Sequence, residues 1–190
     1  MNETGAKSVV RGKVKRMALT ALCAALIAVG AFIRVPVPGI PFTLQTFFVT
    51  LAGLTLGANL GACSALLYLA VGLVGFPVFA GGGGPGYVLQ PSFGYLVGFV
   101  LGAYLTGKIA HAVPEPSFGR SFAAAFAGLG VVYACGMAYF AALKALYFAE
   151  PVVFTNILIY CFLIFLPGDA ALSAVAVLSA RRLRPVVERG

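Results

Sequence analysis

Residues 35–107 contain no Asp, Glu, Lys or Arg. A soluble domain carries about one charged residue in four, and no water-facing surface can be assembled from so long a stretch without any. The same stretch could cross a bilayer about three times, at roughly 20 residues per helix. The rest of the chain agrees. Of its 190 residues, 61% are hydrophobic and 9% charged, and its mean hydropathy is +1.01. We read an all-α integral membrane protein, with the 16 Phe and 8 Tyr suited to lipid and interface contacts.

The charges that do occur sit at the ends. Lys7, Arg11, Lys13, Lys15 and Arg16 precede the first apolar run, and Arg181, Arg182, Arg184 and Arg189 follow the last. The net charge of +8 therefore reflects the positive-inside rule and gives no reason to expect nucleic acid. The first apolar run, residues 17–33, has the basic n-region and small residues of a secretory signal. Every later segment is membranous too, so we take it as helix 1. Cys23, Cys63, Cys135 and Cys161 lie far apart within apolar runs, fit no metal motif, and read as small core residues.

Six spans are expected, over residues 17–33, 43–58, 60–74, 91–110, 121–143 and 155–180. The second and third are short and closely joined, so one of them is tilted, re-entrant or broken. Six spans place both termini on one side. With the termini cytoplasmic, eleven basic residues (Lys108 and Arg120 among them) lie inside, against Arg34 and Lys144 outside. The expected organisation is a basic cytoplasmic segment over residues 1–16, one membrane domain over 17–183 and a cytoplasmic tail over 184–190, in the plasma membrane. Two rows of small residues, Gly53/Gly57/Gly61/Ala65 and Gly94/Gly98/Gly102, would let helices approach closely. Ala21 and Ala25, with Ala24 and Ala28 beside them, form a similar ladder on helix 1, for packing or for a partner protein.

Three stretches carry candidate chemistry. Asp169, in FLPGDAALSA, lies within the last apolar run. A carboxylate at membrane depth is costly unless paired or wetted, and Pro167 and Gly168 disturb the helix where a broken backbone would line a cavity. The competing reading is a helix-start anion near the interface. The second stretch is RVPVPGIPFTLQTFF, residues 34–48. Pro36, Pro38 and Pro41 stiffen it, as a plain loop or as a lid over a pocket to which Gln45 offers a donor and an acceptor. The third is the glycine run of residues 81–84 with Tyr87, Gln90, Phe93 and Tyr95 after it. It is either a mobile loop or the aromatic, close-approach wall of a site for a small, flat, partly polar ligand. No enzyme constellation accompanies these. His111 reads as an interfacial residue, Ser92 lacks a base, no span holds paired carboxylates, and no nucleotide-binding motif occurs. Transport would need an outside source of energy. No catalytic residue, metal site or cofactor is expected.

PVPGIPFTLQ (residues 36–45), GFPVFAGGGGPGY (75–87), PSFGYLVGF (91–99) and LPGD (166–169) together resemble the BioY family, the S components of energy-coupling factor (ECF) biotin transporters, over nearly the whole chain. The resemblance implies a six-helix, S-component-like bundle that holds biotin in an outward-facing pocket under two loops, here the proline stretch and the glycine run. Gly82 and Gly83 join the expected ligand contacts on this basis. It also implies a membrane T component, met through the Ala-x-x-x-Ala face of helix 1, and two cytoplasmic ATPases. The chain departs from the family where PGD-x-x-Lys becomes PGD-x-x-Leu at Leu172, and where Pro-Thr-Gly-Gly-Tyr becomes Pro91-Ser92-Phe93-Gly94-Tyr95. With Asp169 accepting the ureido N–H groups, the ligand carboxylate needs another cation, and Arg34 or Lys144 would supply it. A different vitamin-like ligand, an intramembrane enzyme and a structural membrane protein are the alternatives.

Overall fold

The structure, a computed structural model, describes residues 3–36, 40–149 and 151–189. Pro38, part of the expected lid, lies outside the described residues. Helix α1 (Glu3–Phe32) leads into a short antiparallel ribbon of β1 (Arg34–Val35) and β2 (Phe42–Thr43), with Arg34 opposite Thr43. The described ends of the proline stretch are thus paired with each other, Val35 lying opposite Phe42. There follow α2 (Gln45–Val74), a 3₁₀ turn (Pro85–Leu89), α3 (Phe93–Ala110), α4 (Phe118–Leu146), α5 (Phe154–Leu158), a π-helical turn (Ile159–Leu163) and α6 (Leu166–Arg189).

Five helices among the described residues are long and apolar enough to cross a membrane: Gly12–Phe32, Gln45–Val74, Phe93–Ala110, Phe118–Leu146 and Phe154–Val187. This differs from the expected six, because residues 43–58 and 60–74 fall in the single element α2. That element is not straight. Gly57 holds φ 84°, ψ −177° inside it, a conformation that L side chains avoid. A Cβ on Gly61 would stand 2.9 Å from the Cα of Gly53, whereas eight residues of straight helix span about 12 Å. Gln45 Nε2 donates to the Tyr68 hydroxyl at 2.8 Å, across a separation that straight helix would make roughly 35 Å. The two arms of α2 therefore lie antiparallel, and the Gly53/Gly57/Gly61 row is the seam and turn of a helical hairpin.

The other glycine row serves α3. A Cβ on Gly98 would meet the Cα of Val132 at 2.9 Å, and one on Gly102 the Gly128 carbonyl oxygen at 2.9 Å. Close backbone approach locks α3 to α4. The aromatic core lies between these helices: Tyr68, Phe79, Tyr87, Tyr95, Phe99, Tyr133 and Phe165 are all buried. Leu146, Val74 and Phe154 are 87%, 78% and 73% exposed, as bilayer-facing side chains should be.

Hydrogen bonds tie the two ends of the bundle. Lys15 Nζ donates to the Val187 carbonyl, Arg184 to that of Pro114 at 3.1 Å, and Arg120 Nε to that of Ile109 at 2.9 Å. His111 lies between the Leu54 carbonyl and Arg184. At the opposite end, Arg34 donates to the Ala80 carbonyl and Tyr139 to that of Val88.

Candidate functional site

The glycine run is anchored before it is free. Phe79 pairs with Gly82 through two backbone hydrogen bonds of 2.8 and 3.1 Å, and Gly84 N donates to the Gly72 carbonyl at 2.7 Å. Gly82 sits at φ 122°. The Phe79 ring lies on Gly72, where any Cβ would collide with it. Tyr68 meets Phe79 edge-on at 5.4 Å, and Tyr87 packs on it at 4.5 Å. The run and its flanks thus fold over an aromatic cluster and roof a cavity.

That cavity is small and partly open: its free volume is about 50 Å³, below the roughly 300–1,000 Å³ usual for small-molecule sites. Its apolar walls are Ile40, Phe42, Leu96, Phe99, Val132 and Phe165, and its polar groups include Gln45, Thr46, Ser92, Tyr95, Tyr133 and Asp169. Five elements converge: the ribbon, the first arm of α2, α3, α4, and the start of α6.

Asp169 is the central group. It lies in the first turn of α6, so the helix-start reading of its position holds. It is also only 6% exposed and lines the cavity, so the pocket reading holds as well. Tyr133 donates to its Oδ2 at 2.6 Å, and its Oδ1 is buried without a hydrogen-bond partner among the described residues. A buried, unpaired carboxylate oxygen is costly; one that faces a cavity is ready to accept a ligand N–H.

The neighbouring polar groups are committed to the scaffold. Gln45 donates to Tyr68, and its Oε1 accepts from Thr43 Oγ1 at 3.2 Å. The Tyr95 hydroxyl donates to the Cys161 carbonyl at 2.7 Å, in the π-helical turn where the regular bonding ladder is interrupted. The Tyr95 ring covers Gly136 and stands edge-on to Tyr133 at 6.3 Å. Tyr87 and Ser92 share a hydrogen bond of 3.3 Å.

Asp169, Gln45, Tyr87 and Tyr95 therefore meet in one cavity. Arg34 and Gln90 line a second recess outside it, with Pro36 and Gly81, and the two spaces share Pro41, Tyr87 and Ser92. Lys144 lines a third recess between α4 and α5, with Phe140, Asn156 and Tyr160. Phe93 packs on Tyr139 at 5.6 Å and not on the cavity. Neither Gly82 nor Gly83 lines the cavity or the outer recess; Gly83 is pressed against the backbone of Phe76. Leu172 is half-buried and outside the cavity lining. Tyr133, Thr46 and the wall residues Phe99 and Phe165 went unread in the sequence. Only the i, i+4 spacing of Phe99 from Tyr95 pointed toward any of them.

On α1 the two alanine registers separate. Ala24 is buried and Ala28 packs on the core, whereas Ala21 and Ala25 face outward beside exposed Leu22 and Val29. Among the described residues, no cluster of His, Cys, Asp and Glu could hold a metal ion.

The family model described as BioY matches residues 2–189. A protein of Lysinibacillus sphaericus named probable biotin transporter BioY is 40% identical over 90% of this chain and 87% of its own length. Its namesake in Pyrococcus horikoshii is 37% identical over 90% of this chain and 98% of its own. The biotin transporter BioY of Thermotoga maritima is 44% identical over 60% of this chain and 66% of its own. Among solved structures, the S-component for biotin from an ECF-type ABC transporter superposes with a TM-score of 0.80 at 28% identity, covering 92% of this chain and 93% of that one.

Proposed function

The chain belongs to the BioY family, and from that premise we propose that it is the biotin-capturing S component of an ECF transporter, a binding subunit and not an enzyme. The carrying observation is Asp169, which lines an aromatic cavity with one oxygen held by Tyr133 and the other buried without a hydrogen-bond partner among the described residues. Biotin's ureido group presents N–H donors to such an oxygen, and its fused rings match the apolar walls. The valerate chain then runs past Pro41, Tyr87 and Ser92 into the outer recess, where Arg34 lines the wall. This favours Arg34 over Lys144 as the carboxylate's partner, because the Lys144 recess opens between α4 and α5 instead.

The fold-back at Gly57 supports six membrane crossings, with α2 contributing two and α5 to α6 one. An even number returns the chain to its starting side, and the contact of Lys15 with Val187 fits that parity. The basic residues gathered at that end support cytoplasmic termini. The energy for uptake would come from an ECF module of T component and ATPases, with the outward Ala21/Ala25 face of α1 as the membrane contact.

Asp169→Ala tests the assignment. Removing a charge-assisted acceptor of about 1.5–3 kcal/mol should weaken biotin binding roughly 10- to 100-fold by isothermal titration in detergent. Undiminished affinity in a folded variant would overturn the placement of the ureido group, and a wild-type protein blind to biotin would overturn the function.

A further inference from the structure

Where α3, α4 and α6 meet at the end that holds both termini, a small groove opens among Leu54, Ala110, Pro116, Ser121, Ala180, Arg181 and Arg184. Its floor is apolar and its rim is basic. The Arg181 guanidinium stands 5.5 Å from the centre of the Phe118 ring. From Phe118 a row of rings climbs α4 one turn at a time. Phe118 packs on Phe122 at 4.6 Å, and Phe122 stacks on Phe126 at 6.2 Å. Phe118 and Phe126 are 45% and 41% exposed. Arg120 and Lys108 add positive charge nearby, against Glu115 in the α3–α4 loop and Glu188 further along α6.

We propose that this groove binds an anionic phospholipid of the leaflet on that side. Its phosphate meets Arg181 and Arg184, and one acyl chain lies along Phe118, Phe122 and Phe126. Guanidinium groups match phosphate oxygens in geometry and charge, and basic pockets between membrane helices suit anionic headgroups. The ring row decides between a lipid and a protein partner. An acidic protein segment would answer the arginines but not an aromatic track that runs from them into hydrocarbon depth. The biotin cavity lies at the opposite end of α3, so the two sites are separate.

The chain contains no Trp, so Phe126→Trp adds a single emitter beside the track. The variant is reconstituted in phosphatidylcholine vesicles carrying brominated acyl chains on either phosphatidylglycerol or phosphatidylcholine. Brominated phosphatidylglycerol should quench the introduced indole more strongly at equal mole fraction. Arg181→Gln should lower that preference about fivefold, and Arg184→Gln by a similar factor. Biotin binding, retained in both, reports that they fold; should Arg184→Gln fail this check, Arg181→Gln decides alone. Equal quenching by the two lipids, or a preference unchanged in Arg181→Gln, would overturn the site. A preference abolished by millimolar inorganic phosphate would make it a soluble-anion site instead. If lipid preference is absent while Arg181→Gln weakens assembly with the transporter's other subunits, the groove is a protein contact and the proposal falls.

Discussion

The carboxyl group of Asp169 has two oxygens with different lives: one accepts from Tyr133 and the other has no partner among the described residues. Tyr133 thereby fixes the rotamer that aims the second oxygen. Tyr133→Phe should cost less than Asp169→Ala, about one neutral hydrogen bond or roughly 1 kcal/mol, and titration with biotin measures the difference. Arg34 makes a sharper test, because its proposed role depends on one functional group of the ligand. Arg34→Ala should weaken biotin about fivefold, as loss of an exposed ion pair of up to about 1 kcal/mol implies. It should leave the affinity for the primary amide of biotin unchanged. Equal losses for both ligands would mean that Arg34 acts through its bond to the Ala80 carbonyl, by holding the glycine stretch. Asp169 was legible in the sequence because a carboxylate in an apolar run stands out from its neighbours. Tyr133 was not, because its meaning lies in a partner 36 residues away on another helix.

At the scale of elements, α2 depends on one residue. Gly57→Ala places a Cβ on backbone at φ 84°, ψ −177°, at a cost of about 1–3 kcal/mol. The variant should lose folded protein at a lower temperature by fluorescence-detected size-exclusion chromatography. Gly130→Ala is the control: a Cβ there meets nothing within 4 Å, and Ala is the better helix former. The apolar runs marked α3 and α4 to within a few residues, but the joining of two runs into one folded-back element did not show, since glycine spacing reads alike as a packing seam and as a turn. The last expected span is likewise divided, into α5, a π-helical turn and α6. Nothing periodic in residues 154–166 announces a π turn, because its stabilising partner, the Tyr95 hydroxyl, comes from α3. The glycine run was open between loop and pocket wall. In the structure the run is held by the backbone bond of Gly84 to Gly72 and by Phe79 as a plug, and its flanks Ala80 and Tyr87, not Gly81–Gly84, line the cavity.

For the molecule as a whole, the proposed function assigns capture and assembly to different surfaces. The cavity lies inside the bundle, and the Ala21/Ala25 face points away from it. Ala21→Leu with Ala25→Leu should therefore abolish co-purification with a T component and ATPases while leaving biotin affinity within about twofold, because mutations without shared contacts act independently. Loss of both properties together would place α1 in the binding site. The charge-free stretch established the membrane class, whereas the even count of crossings is an expectation drawn from charge at the ends. The chain's paired ends, Lys15 against Val187, agree with that parity.

The fold-back at Gly57 also bears on how the chain enters the membrane. The insertion machinery meets residues 45–74 as a 30-residue stretch without Asp, Glu, Lys or Arg, long for one crossing, with only scattered polar residues such as Thr55 and Asn59 near the turn at Gly57. Neither arm has a hydrophilic loop to hold it at the far surface while the other is threaded. On the proposed six crossings, the two arms leave the insertion channel as a pair, and the turn at Gly57 forms during synthesis, before α3 exists to pack against it.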